Sequence, residues 1–171
     1  MEPQSSPAKI ALKWGSLTGI ALILYTTFLY VTDLTATPGL SLLIYGILAA
    51  GLVFAMRELR AANGGYLRYG EGLGIGALTS AVAGLLSTTY SIIYNTFVDP
   101  AMQQRTMDKV REQYEERGMA DDQIDQAMSI VEKFQSPGLL FVAGVFGTIF
   151  AGFLLSLIVA AILRRNRPEP F

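Results

Sequence analysis

Residues 70–97 read GEGLGIGALTSAVAGLLSTTYSIIYNTF and contain no charged residue after Glu71. Because residues i and i+4 share a helix face, small residues at every fourth position form a ribbon that lets neighbouring helix backbones approach closely. The length of the segment and its lack of charge predict a membrane-spanning helix, and the ribbon places that helix inside a bundle. The ribbon consists of Gly72, Gly76, Ser80, Gly84 and Thr88.

The composition of the 171-residue chain also indicates a membrane protein. Hydrophobic residues make up 51% of it and charged residues only 16%, which is unusual for a soluble domain. Four uncharged runs each approach or exceed the roughly 20 residues that cross a hydrocarbon core. They are residues 14–31, 40–56, 73–97 and 139–163.

A second ribbon of small residues lies in the last of these runs and is the expected packing partner of the first. Its members are Gly144, Thr148, Gly152, Ser156 and Ala160. The sequence therefore predicts an all-α fold, a four-helix transmembrane bundle in which the third and fourth spans pack through their ribbons.

The segment between these two spans, residues 99–136, is polar and carries nine acidic and five basic residues. Apolar residues at helical spacing predict two helices that close on each other as a water-exposed antiparallel hairpin, inserted within a single membrane domain of residues 1–171. The first stripe is Met102, Thr106, Val110 and Tyr114, and the second is Ile124, Ala127, Met128, Val131 and Phe134.

Helix boundaries are marked by characteristic residues. Thr37-Pro38, Asp99-Pro100 and Ser136-Pro137 each predict an N-cap followed by the first helical residue, and Asp33 is expected to end the first helix. Residues 63–65 (Asn-Gly-Gly) and Gly118 predict helix C-caps and turns. Residues 1–8 are expected to be disordered.

The charge distribution predicts an orientation. Basic residues cluster at the N-terminus, between the second and third spans and at the C-terminus, whereas acids predominate in the other connections. By the positive-inside rule, both termini are cytoplasmic and the hairpin is extracytoplasmic, in the inner membrane.

The overall charge and the absent residue types exclude several functions. The net charge is -1, and the basic residues of the chain do not form a continuous basic stripe, so no nucleic-acid partner is expected. Without Cys or His the chain lacks a disulfide, a thiolate nucleophile, an imidazole shuttle and the usual zinc ligands. We predict no enzymatic activity, no catalytic, cofactor-binding or metal-binding residues and no cofactor.

Two other motifs allow more than one interpretation. Gly72, Gly74 and Ala77 fit a dinucleotide-binding G-x-G-x-x-[GA] pattern, but no strand precedes them, and helix packing is the better explanation. The loop at residues 63–71 is either a ligand-binding turn, with Arg68 and Glu71 one helical turn apart, or a C-cap followed by an interfacial anchor.

Polar residues leave two further alternatives. Asn95, with Ser91 and Tyr94, is predicted either to line a polar cavity or to form interhelical hydrogen bonds. The acids of the hairpin either bind a divalent cation or form a solvated helix face, and their spacing does not resemble a calcium loop. These acids are Asp121, Asp122 and Asp125.

The two halves of the chain echo each other. Residues 13–15 (Lys-Trp-Gly) with Gly19 match residues 68–70 (Arg-Tyr-Gly) with Gly74 at identical spacing. The echo indicates either a parallel internal duplication or two uses of the same membrane-interface signals.

The chain resembles the bacterial membrane family catalogued as domain of unknown function 4199. The resemblance covers nearly the whole sequence and rests on Asn63-Gly64-Gly65-Tyr66-Leu67, Gly70-Glu71, Asp99-Pro100, Gly118-Met119, Asp122-Gln123-Ile124, Ala127-Met128 and Ser136-Pro137-Gly138. Ala120 departs from the serine expected at that position. The resemblance implies a four-span bacterial inner-membrane protein and no particular activity.

Two functions remain open at this point. The first is a non-enzymatic scaffold or partner-binding protein that acts through the hairpin, with the lipid bilayer, a second copy or another membrane protein as partners. The second is a small transporter or channel subunit in a homo-oligomer. A water-filled track along Ser80, Ser87, Ser91 and Asn95 favours transport, whereas a sealed bundle with apolar residues exposed on the hairpin favours the scaffold.

Overall fold

The computed structural model describes residues 6–32, 34 and 38–166, and the secondary-structure elements in these ranges, apart from one isolated β-bridge, are helices. The helical class predicted from the sequence is therefore confirmed. The helices are α1 (Pro7–Val31), α2 (Pro38–Ala62), α3 (Tyr69–Ile93) with a π-helical turn at Tyr94–Val98, α4 (Ala101–Glu116), α5 (Asp121–Phe134) and α6 (Pro137–Leu163).

Four of these helices are long and apolar enough to cross a membrane, which confirms the four predicted candidate spans. The shortest has 24 residues and the longest 30, against the roughly 20 that a hydrocarbon core requires. They are Pro7–Val31, Gly39–Ala62, Tyr69–Val98 and Pro137–Leu163.

Several predicted helix ends are confirmed. α2 ends before Gly64 and Gly65, whose φ angles are 71° and 90°. α4 ends before Gly118, whose φ is 73°. Left-handed backbone of this kind is unfavourable for residues with a Cβ, which explains the glycines at these turns. Ala120 stands at the N-cap of α5 without a side-chain hydrogen bond, as its methyl group dictates.

Two predicted helix starts are wrong. α1 begins at Pro7, inside the segment expected to be disordered, because the Ser6 hydroxyl accepts a hydrogen bond from the Lys9 amide at 3.4 Å. Asp99 does not cap α4, because Pro100 occupies the N-cap position and the Asp99 carboxylate pairs with Arg105 instead. The predictions for Asp33, Thr37 and residues 1–5 lie outside the described residues.

The described chain divides into two compact units, one reaching to Ser87 and resuming at Val145, the other spanning Thr88–Gly144. In the first unit, the two ribbons pack against each other, as their sequences predict, and the structure shows that they run antiparallel. A Cβ built on Gly72 would lie 2.7 Å from the Cβ of Ala160, and one on Gly84 would lie 2.9 Å from the Cβ of Thr148. The pairs are Gly72 with Ala160, Gly76 with Ser156, Ser80 with Gly152 and Gly84 with Thr148.

Helix α1 packs on α3 through its own glycines. A Cβ on Gly15 would lie 2.6 Å from that of Val82, and one on Gly19 would lie 3.1 Å from that of Leu86. Gly70 and Gly74, their counterparts in the sequence echo, have no such neighbour within 4 Å among the described residues. The echo therefore does not extend to the packing of these glycines.

A core of buried residues in the first unit joins the start of α1, the end of α2, the start of α3 and the end of α6. There the backbones of Leu67 and Arg165 form a two-bond antiparallel bridge, with distances from the amide nitrogen to the carbonyl oxygen of 3.0 and 2.9 Å. The buried residues of this core are Ile10, Ala11, Ala55, Met56, Leu59, Leu67, Ile75 and Ala160.

In the second unit, α4 and α5 contact each other through side chains. Gln135 Nε2 lies 3.0 Å from the Met107 sulfur, and Arg111 Nη2 lies 3.3 Å from Asp125 Oδ1. Ile124 is buried between them. Phe134, which the sequence predicts on the packed stripe of α5, is 65% exposed. The row of residues that faces α4 passes through Gln135 instead, about 100° further around the helix. The unit also adds a fifth pair to the ribbons, Thr88 with Gly144.

Candidate functional site

A groove lies between α4 and α5 in the second unit, and we call it the α4–α5 groove. Its volume is about 400 Å³. It is lined by Pro100, Gln103, Gln104, Met107, Asp108, Arg111, Met128, Glu132 and Gln135.

The groove combines soft apolar groups with fixed polar ones. Met107 and Met128 are half-buried, and methionine side chains adapt readily to the shape of a bound group. Arg111 is held by two acids, Glu115 and Asp125, each 3.3 Å from a guanidinium nitrogen. Three glutamine amides supply donors and acceptors that can pair with a peptide backbone. The lining therefore offers an adaptable apolar surface, hydrogen-bonding amides and charges of both signs to a bound group.

The three acids that the sequence offers as possible cation ligands lie near the start of α5. Among the described residues, no group of three or more His, Cys, Asp or Glu side chains is arranged to hold a metal ion. Asp125 pairs with Arg111, and Asp121 and Asp122 lie exposed in the first turn of α5, where carboxylates interact favourably with the helix dipole. The solvated-face interpretation of these acids fits this arrangement.

The loop between α2 and α3 is built from structural contacts. Arg60 Nε donates to the Gly65 carbonyl at 3.0 Å, and the Arg68 amide donates to Glu71 Oε2 at 2.8 Å, which caps α3. Together with the backbone bridge at Leu67, these hydrogen bonds give the possible ligand-binding turn a structural role, as in the alternative of a C-cap followed by an interfacial anchor. Gly72, the first glycine of the dinucleotide-like motif, packs against Ala160 of α6, in agreement with the helix-packing interpretation.

Hydroxyl groups lie deep in the first unit. Thr79 and Ser80 are completely buried, and within the described residues their side-chain oxygens have no hydrogen-bond partner. Ser156 is also buried and donates to the Gly152 carbonyl at 2.6 Å. The Ser80 hydroxyl lies directly against Gly152, so the bundle is closely packed at this point.

The candidate polar track is not uniform. Ser87 donates its hydroxyl to the Ala83 carbonyl at 2.8 Å, within its own helix. In the second unit, the side-chain oxygen Oδ1 of Asn95 is buried and, among the described residues, lacks a hydrogen-bond partner. Ser91 is half-buried. Asn95 lies in the π-helical turn, a distortion that frequently marks functional positions in helices.

The single tryptophan, Trp14, stands at the junction of α1 and α2. Its indole nitrogen donates to Glu58 Oε2 at 2.7 Å, and its ring stacks on Phe54 with 4.9 Å between the centroids. Lys13 Nζ contacts the same carboxylate oxygen at 2.8 Å. Sequence reasoning missed this cluster, because no local pattern links residues more than 40 positions apart.

The fold and the site define an all-helical protein with four candidate membrane spans and a charged, grooved segment between the third and the fourth. The chain belongs to the family described as "Protein of unknown function (DUF4199)", whose model matches residues 13–165. This match confirms the resemblance inferred from the sequence. Neither a curated protein nor a solved structure matches the chain.

Proposed function

We propose that the chain is a non-enzymatic inner-membrane scaffold whose α4 and α5 form an extramembrane hairpin and bind a partner protein in the α4–α5 groove. In this proposal residues 1–171 form one membrane domain and the partner is a polypeptide, not a nucleic acid. The observation that carries the proposal is the groove itself, whose lining includes two methionines, three glutamines and three charged residues.

A polypeptide segment suits this groove chemically. Backbone amides and carbonyls of a partner find acceptors and donors in Gln103, Gln104 and Gln135. Met107 and Met128 offer an adaptable apolar surface to one or two side chains. Arg111 and Glu132 add charges of both signs, which favour a partner of matching pattern.

The proposed orientation is supported by contacts that gather basic residues at one end of the first unit. The Lys13–Glu58 pair joins the start of α1 to the end of α2, and the bridge at Arg165 joins the α2–α3 loop to the end of α6. The positive-inside rule assigns this end to the cytoplasm, which puts both termini there and the hairpin outside. Reporter fusions at Gly118 and at the C-terminus test the assignment, and an active periplasmic reporter at the C-terminus would contradict it.

Crosslinking in native membranes tests partner binding. The chain has no native Cys, so a single Cys can be placed in the groove and modified with a photoreactive maleimide. Gln103→Cys and Gln104→Cys are expected to give adducts heavier than the monomer. Lys109→Cys, on the opposite side of α4, is the matched control and should give few. Uncrosslinked monomer from all three variants would refute the proposal.

The alternative, a small transporter or channel subunit in a homo-oligomer, is supported by the unpartnered hydroxyls of Thr79 and Ser80. Polar groups buried at depth often mark a solute path. The close contact between Ser80 and Gly152 argues against an open path at that level. Ser87→Cys distinguishes the two functions: modification by a membrane-impermeant thiol reagent indicates an aqueous track, and protection indicates a sealed bundle.

A further inference from the structure

Helix α5 has an apolar flank that its contacts with α4 leave uncovered. Ile130 is 56% exposed and Phe134 is 65% exposed, and their spacing of four residues puts them on one side of the helix. The row that faces α4 runs instead through Ile124, Met128 and Gln135. At 100° per residue, Ile130 and Phe134 lie roughly 80–120° away from Ile124 around the helix.

This flank lies at the end of the segment that adjoins the spans. Pro100 and Gln135 line the same groove, so the end of α5 lies beside the start of α4. Val98, the last residue of the π-helical turn, is 64% exposed, and Phe97 is 79% exposed. Phe134 precedes the first residue of α6 by three positions. Large apolar side chains are therefore exposed on both sides of the point where the segment joins its two spans.

The exposed apolar surface continues into the spans themselves. In the same unit, Ile93 on α3 and Leu139 and Leu140 on α6 are exposed, as expected of side chains that face lipid. Contiguous exposed apolar patches are unfavourable in water and mark an interaction surface. Phe97 and Val98 end one candidate span, and Phe134 stands three residues before the helix of the next, so the chain itself holds this flank at the edge of the apolar spans and its occupant is the bilayer.

We infer that α5 lies on the membrane surface, with Ile130 and Phe134 inserted at the boundary between headgroups and acyl chains, and with Phe97 and Val98 beside them. Glu132, in the groove lining, is roughly 160–200° around α5 from the inserted flank. Anchoring therefore turns the α4–α5 groove towards water. The inference depends on the four spans being in a bilayer, but it does not require a protein partner.

The test uses the full chain in vesicles of phosphatidylethanolamine and phosphatidylglycerol, with one nitroxide-labelled Cys at a time. Collision rates with oxygen, which concentrates in lipid, and with a water-soluble nickel chelate report the surroundings of each label. Ile130→Cys and Phe134→Cys are expected to give an oxygen-to-nickel ratio several-fold above that of Ser129→Cys and Lys133→Cys. Each control adjoins a test position along α5 and lies about 100° from it around the helix, Ser129 from Ile130 and Lys133 from Phe134.

The outcomes are distinct. Equal, water-like ratios at all four positions would overturn the inference. Labels at 130 and 134 that are shielded from both reagents would overturn it as well, because a second copy or another protein would then cover the flank. A label at Ile158, an exposed residue of α6, checks the membrane setting and should give a lipid-like ratio. A lipid-like ratio at 158 with water-like ratios at 130 and 134 refutes the anchoring alone.

Discussion

Replacing Gly72 by alanine places a methyl group against one that is already there. The new Cβ would lie 2.7 Å from the Cβ of Ala160, about 1 Å short of the roughly 3.5–4.0 Å of an ordinary carbon contact. Both atoms are fixed to helix backbones, so α3 and α6 must separate locally. Overpacking of this kind costs about 1–3 kcal/mol. Gly74→Ala is the matched control, because that site is open and gains only the helix propensity of alanine, about 1 kcal/mol.

The propensity gain cancels between the two variants, so their free energies of unfolding should differ by about 1–3 kcal/mol. Titration of the full chain with a denaturing detergent in mixed micelles, followed by far-ultraviolet circular dichroism, measures this difference. Exchanging the pair, Gly72→Ala with Ala160→Gly, restores one methyl group at the contact and should recover most of the loss. A coupling energy below about 0.5 kcal/mol in this cycle would show that the ribbons do not meet in the register described.

Three further predictions concern single positions. Glu58→Gln removes the ion pair with Lys13 and should destabilise the chain by about 0.5–1 kcal/mol, with a shift in the emission of Trp14, which fluorescence during the same titration reports. Gly65→Ala, at a φ of 90°, should cost about 1–2 kcal/mol of unfolding free energy, and an effect no larger than that of Gly70→Ala would contradict the strained turn. Arg165→Pro deletes one N–H of the backbone bridge and should cost at least about 1 kcal/mol of unfolding free energy, whereas Arg165→Gln should be neutral.

Local patterns in the sequence predict most of the fold. Runs of uncharged residues identify the four candidate spans, and Gly64, Gly65 and Gly118 identify turns that need positive φ angles. What local patterns miss is competition between groups. Asp99 has the properties of an N-cap, but the nearby guanidinium of Arg105 takes its carboxylate. Phe134 continues an apolar stripe by its spacing, but only the contacts of α5 decide which row faces α4.

The register of the ribbons is contained in the sequence, although only the structure reveals it. Each of the five pairs consists of one glycine and one residue with a small side chain, so every side chain meets a backbone that has room for it. Sliding α6 by one turn sets Ser80 against Thr148 in one direction and Thr88 against Thr148 in the other. Both alternatives put two side chains where the helix separation admits one. Complementarity of this kind is a signal that sequence reasoning can use for other pairs of small-residue ribbons.

The same pairing limits where a partner can bind. Because each ribbon covers the other, these helix faces are not available to a second copy. Outside the ribbon, α3 has only short stretches of small residues, such as Gly70 with Gly74. The outer side of α6 carries large residues such as Phe146 and Phe150, which gain little by exchanging lipid for another apolar helix. The free energy of binding at the α4–α5 groove has a different source when the groove faces water. A partner that covers its methionines then removes apolar surface from solvent, which is favourable. Association should therefore respond to Met107→Ser more strongly than to Phe150→Ala, and the reverse order would move the partner from the groove to the spans.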